Sequence, residues 1–210
     1  MKRFQLFLLL LLAIAVPFAT ADTIQLSNNN LGIAGSIGTV TVTQGVGGVQ
    51  VLLQANSGFS FKLQGGDILF DSSASLTGAN ITNLQISSCP QNCTVFTSNF
   101  SFVVGPVTRA GLTFNYDITK LMKGTLPQGY VSANTISFFI SGVTLSQFES
   151  SPGQLLTWGV HFCTASGTNC GPFTGFASNG PVAVPEPGTL SLLGTGLAGL
   201  AGVFRRRFRS

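Results

Sequence analysis

The sequence predicts an all-β body, a single antiparallel β-sandwich of jelly-roll or immunoglobulin-like type, framed by an N-terminal signal peptide and a C-terminal transmembrane helix. Three observations predict it. Central apolar residues come as short β-branched and aromatic runs, and helix formers are scarce. Gly, Asn, Ser and Pro punctuate those runs, as they do in sandwiches and barrels. Within the clearest runs apolar and polar residues alternate, which sets one face of a strand on a core and the other in solvent. The chain divides into 1–21, a body over 22–179 of a size suited to one domain with its own core, and a tail over 180–210.

At the N-terminus, Lys2 and Arg3 precede an apolar stretch from Phe4 to Val16, and Pro17 ends it. Ala19 and Ala21 then stand at the spacing a signal peptidase reads, so cleavage after Ala21 is expected, with Asp22 as the new N-terminus.

In the body, Thr23 to Leu26 and Gly38 to Thr43 read as strands, the second with Val40 and Val42 facing opposite to Thr39, Thr41 and Thr43. Gly45 to Gly48 reads as a turn into a strand over Val49 to Ala55. Phe59 to Leu63 alternates, and Gly65-Gly66 turns it toward Ile68-Leu69-Phe70. The spacing of Ile81, Leu84 and Ile86 is irregular and marks a weaker strand. Val95 to Thr97, Phe100 to Val104 and Leu112 to Ile118 follow as strands, and Thr119 to Lys123 as one helical turn stopped by Gly124 and Pro127. Thr135 to Ser141 and Val143 to Phe148 are expected as strands joined at Gly142. Leu155 to Phe162 should be a strand ending at Cys163, Phe173 to Phe176 a short last strand, and Ala177 to Val184 a linker.

Positive charge sits mostly in the end segments. The body holds Lys62, Arg109, Lys120 and Lys123 against Asp22, Asp67, Asp71, Asp117 and Glu149, which is nearly neutral. Nucleic-acid binding needs a clustered basic face, and this body has none.

The tail carries the most specific pattern. Pro185, Glu186 and Pro187 form a stiff extended peptide, because each proline fixes its own φ and restricts the residue before it. Leu190 to Phe204 has no charge and, at about 1.5 Å per residue, makes a short membrane helix. Gly194, Ala198 and Gly202 put small residues on one of its faces. Arg205, Arg206, Arg207 and Arg209 follow directly, which places the C-terminus in the cytoplasm and the body outside.

This combination of Pro-Glu-Pro, short apolar helix and arginine cluster resembles the PEP-CTERM sorting signal of exported bacterial proteins. The resemblance covers Pro181 to Ser210 and makes Pro185, Glu186 and Pro187 the recognition motif. It implies an exosortase-like membrane enzyme as processing partner, beside signal peptidase. It also implies a Gram-negative host, an inner-membrane-tethered intermediate, and a final place at the cell surface or in the extracellular polysaccharide matrix.

Export places the 4 cysteines in an oxidising compartment, where disulfides are expected. Local pairs Cys89–Cys93 and Cys163–Cys170 would each staple a turn, worth about 2 to 2.5 kcal/mol, against roughly 4 to 4.5 kcal/mol for a bridge between the clusters, so energetics leave the connectivity open. The spacings do not match a zinc site.

No catalytic constellation stands out. His161 lies mid-strand and no Gly-x-Ser-x-Gly elbow occurs, so a triad around it has no support. Asp67 and Asp71 project to one face but lie about 13 Å apart on a strand, outside the roughly 5 to 9.5 Å of glycosidase pairs, and read as solvated strand ends. Asp117 and Glu149 stand alone. Trp158, with Tyr116 and Tyr130, offers a ring for stacking on a sugar, against core packing as the plainer reading. The resulting expectation is a non-enzymatic surface or matrix protein without cofactor or metal. A carbohydrate-binding module for extracellular polysaccharide is the alternative, and a hydrolase with an unrecognised site is third.

Overall fold

In the computed structural model, residues 20–63, 65–88, 94–97, 100–121, 132–166 and 169–180 are described. Residues 1–19 of the signal segment, the tail from 181 onward, Cys89, Cys93 and Tyr130 lie outside them. The body is all-β and antiparallel, as the sequence predicts. In chain order its strands are β1 (Ala21–Gln25), β2 (Asn28–Asn29), β3 (Gly38–Gly45), β4 (Gly48–Ala55), β5 (Phe59–Lys62), β6 (Asp67–Phe70), β7 (Ile81–Ser88) and β8 (Thr94–Thr97). They continue with β9 (Ser101–Arg109), β10 (Leu112–Thr119), β11 (Ser132–Ala133), β12 (Thr135–Ser141), β13 (Glu149–Ser151), β14 (Gln154–Leu155), β15 (Trp158–Ser166) and β16 (Asn169–Ser178).

The first sheet runs β1-β3-β4-β12-β7-β8. Its register is regular from Gly38↔Ala55 to Gly45↔Gly48, where a turn through Val46 and Gly47 closes the hairpin. In the second sheet β15 lies between β16 and a strand broken in two: Phe59–Phe61 pairs with Phe162–Thr164, and Ile68–Phe70 with Trp158–Val160. The residues between, around Gly65 and Gly66, loop out of the ladder. Then come β10 beside β6 and β9 at the edge.

One core is shared by the inner faces. Val40, Val42, Val51, Leu53, Ile136 and Phe138 enter it from the first sheet, and Phe61, Ile68, Phe70, Ile118, Trp158 and Phe162 from the second. Phe70 is its centre, with ring centroids 4.9 Å from Trp158, 5.4 Å from Tyr116 and 6.1 Å from Phe148.

Four local expectations are corrected. Val143 to Phe148 is not a strand: Leu145–Phe148 is a 3-10 turn. The Thr144 N–H donates to Gln147 Oε1 at 2.9 Å, and Leu145 and Phe148, three residues apart, both turn inward. Thr119 belongs to β10 rather than to a helical turn, and Lys120 at φ +53° ends that strand. The strand expected to stop at Cys163 continues to Ser166, and β16 takes in Ala177 and Ser178, which the sequence places in a linker. Among the described residues no helix is long and apolar enough to cross a membrane, and the expected span Leu190–Phe204 falls outside them.

Candidate functional site

The second sheet has a layer of buried residues on the face turned away from the core. Leu69 and Phe114 are 0% and 2% exposed, yet neither belongs to the shared core. The β9–β10 hairpin explains this. On a flat ladder Leu112 and Thr119 would be separated by roughly 23 Å. Arg109 pairs with Leu112 and Asp67 with Thr119, but Arg109 Nε donates to Asp67 Oδ2 at 3.0 Å. The distal part of the hairpin therefore folds back over the sheet. The bend lies where the register shifts between Phe114 and Tyr116, opposite Gly105, whose φ of +116° is open to glycine and to few other residues. The Asn115 N–H at the bend donates to Asp71 Oδ1 at 2.8 Å. Beyond the bend, the Phe114 ring lies over Gly159, where a Cβ would stand only 2.8 Å from the ring.

Under this arm sits a charged cluster. Asp67 accepts from Arg109 Nε and, through Oδ1, from the Thr119 hydroxyl at 2.6 Å. Asp117 Oδ2 is 3.7 Å from Arg109 Nη2, while its Oδ1 is buried without a hydrogen-bond partner. Burial first, and the Asp67 charge second, push the Asp117 carboxyl up to about 7 in spite of Arg109. His161 stands on the same face, its ring stacked 4.4 Å from Phe176 and its Nδ1 3.2 Å from the Gly65 carbonyl oxygen. Desolvation, then the Lys62 charge, lowers its pKa.

The sequence keeps these groups apart, and the structure corrects that. Asp67 is a buried ion-pair partner, not a solvated strand end, and Asp117 does not stand alone. The signal was present in Asp117 itself, which occupies a polar position of an alternating strand whose outer face a folded-back hairpin then covers. Asp71 anchors the bend instead of pairing with Asp67. Glu149, on β13, meets Asp22, on β1; their shared hydrogen bond is the largest cause both of the raised Asp22 carboxyl and of the lowered Glu149 carboxyl.

Of its two readings, Trp158 takes the plainer one, core packing. It is 0% exposed between Phe70 and Phe148 and presents no face to a sugar; Tyr116 is buried too, its hydroxyl donating to the Ala74 carbonyl at 2.5 Å. The core wins both rings because they lie in phase with Ile118 and Val160 on the inner face. Cys163 and Cys170 form a disulfide across β15 and β16, which rules out a bridge to the Cys89 cluster through either of them. Among the described residues no group of His, Cys, Asp and Glu is arranged to hold a metal ion.

Comparison with known proteins gives a match in the tail. The family model of the PEP-CTERM protein-sorting motif matches residues 183–207, covering Pro185, Glu186, Pro187 and the arginines to Arg207. No curated protein and no solved structure matches the chain.

Proposed function

Because the chain carries a PEP-CTERM protein-sorting motif, which implies exosortase-dependent sorting of an exported, membrane-associated protein, we propose that it is a non-enzymatic component of the cell surface or extracellular matrix. The single observation that carries this reading is the motif following directly on a closed β body: β16 ends at Ser178, and the match begins at residue 183. In this reading signal peptidase removes residues 1–21 after Ala21, and the Leu190–Phe204 segment and arginines hold the body at the inner membrane of a Gram-negative cell until an exosortase acts near Pro185 to Pro187. The body itself is a two-sheet sandwich.

Two features support a structural rather than a catalytic body. Asp117, whose raised carboxyl would suit a general acid, is 1% exposed beneath Arg109 and the folded arm, a position closed to substrate while the arm is shut. Two of the three rings best suited to sugar stacking, Trp158 and Tyr116, are buried in the core.

Intact mass of the protein from its host, in membrane and medium fractions, tests the reading. We expect loss of Met1 to Ala21, a second C-terminal boundary near Pro185 to Pro187, and retention of the Cys163–Cys170 bridge. Replacing Pro185 and Pro187 by alanine should hold the full tail in the membrane fraction. A wild-type tail found intact and only in membranes would overturn it.

A further inference from the structure

The folded-back arm closes over a carboxyl group that has no full set of partners. Asp117 is 1% exposed, its Oδ1 accepts nothing, and its contact with Arg109 at 3.7 Å is longer than a hydrogen bond. The strong bond of Arg109 goes to Asp67 instead. One guanidinium thus serves two carboxylates, and only one of them is well served. Among the described residues the charged groups around Asp117 are Asp67 from β6 and Arg109 from β9; farther out on the same face His161 of β15 feels the charges of Lys62 of β5, Asp67 and Arg109. An ionised Asp117 is therefore a poorly compensated buried charge, and a proton on it removes that cost.

The arm is built to move as a unit. Its bend is marked by the register shift and Gly105, its tip is the tight turn Ala110-Gly111, and its side-chain anchors to the sheet are the Arg109 pair, the Phe114 ring and the Asp71 bond at the bend. It is also the edge of the sheet, and among the described residues no strand beyond β9 ties it down.

We propose that the distal β9–β10 hairpin, residues 105–115, is a proton-gated flap: shut over the outer face while Asp117 holds a proton, and released as that proton passes to water. The direction follows from linkage. Closed, burial holds the Asp117 carboxyl up at about 7; hydrated in the open arm it returns toward the ordinary carboxyl value of 3.8. Opening then releases one proton between those limits, so the open fraction rises with pH across that window and levels off above it. Opening uncovers Leu69, Phe114 and both carboxylates, turning a sealed face into an apolar and acidic one.

Amide hydrogen exchange on the full chain, read as protection factors at pH 5 and pH 7.5, tests this. Protection over residues 107–114 should fall at least tenfold between the two, with the β3–β4 hairpin unchanged. Asp117→Asn, a permanent neutral mimic, should remove that fall, and Arg109→Gln should lower arm protection at both pH values. Carbon-detected titration of the Asp117 carboxyl in the unmutated chain gives a reading independent of variant folding, and its midpoint should coincide with shifts of the arm amides. A flat wild-type profile, an undiminished fall in Asp117→Asn, an unaffected arm in Arg109→Gln, or a carboxyl titrating near 4 would each overturn the proposal.

Discussion

In β3 and β12 of the first sheet, buried and half-buried positions alternate along the strand, whereas all four residues of β6 in the second sheet are buried. The two sheets share one core, so the difference arises on their outer faces. Thr39 and Thr41 face away from the core and stay partly open. Asp67 and Leu69, at the equivalent phase of β6, lie under the arm that Arg109 pins down. An outer face is thus a solvent boundary in one sheet and a second interior in the other.

The largest effect that probes this comparison lies where the sheets do not differ, in the shared core. Phe70→Ala removes the ring that touches Trp158, Tyr116 and Phe148 and should cost about 3 to 5 kcal/mol in denaturant unfolding. A loss below about 2 kcal/mol would mean that Phe70 does not join the two inner faces. The next effect separates the sheets. Leu52 and Leu69 are both leucines on outward-facing positions, half-buried in β4 and fully buried in β6. Leu69→Ala should cost about 2 to 3 kcal/mol and Leu52→Ala under about 1 kcal/mol, the ratio expected if only one outer face is covered. Equal losses would place the arm off the sheet.

That asymmetry also accounts for what could be read from residues alone. The strands from Gly38 to Lys62 and from Thr135 to Ser141 were legible because alternation reports a strand with one wet face, whereas Ile68 to Phe70 was legible as a short apolar run after a glycine turn. Irregular Ile81, Leu84 and Ile86 proved to be one strand: the register shift between Ser137 and Phe139 absorbs the extra residue, and Asn83 takes a positive φ. The charged cluster was not legible. Asp67, Arg109 and Asp117 are joined by a hairpin that bends back, and bends at Gly105 and Asn115 leave no periodic trace. Trp158 left two readings open for the opposite reason, since an amphipathic ring at an alternating position fits a core as well as a binding face.

A smaller effect concerns the far side of the second sheet. The Cys163–Cys170 bridge closes a short loop, with a sequence separation of 7. Replacing both by serine should cost about 2 kcal/mol, chiefly by freeing the unfolded chain. Equilibrium unfolding in urea measures it, and the difference should vanish when both proteins are compared under reducing conditions. Persistence there would assign the loss to serine packing at buried Cys163 rather than to the cross-link.

The smallest effect sets one hairpin tip against the other. Ala110 sits at φ +50° beside Gly111 at +81°, both in the left-handed region that a tight two-residue turn requires and that a Cβ disfavours. Val46, at the tip of the β3–β4 hairpin, lies outside that region and is fully exposed. Ala110→Gly relieves strain that exceeds the added freedom of the unfolded chain, so it should stabilise by about 0.5 to 1 kcal/mol. Val46→Gly relieves nothing and should destabilise by a few tenths of a kcal/mol, from backbone entropy alone. Opposite signs in thermal unfolding would show that the bent hairpin holds its tip against the residue's preference while the straight one does not. If Ala110→Gly destabilised, the arm would have to be held from its tip, and its release would not be governed from the Arg109 end.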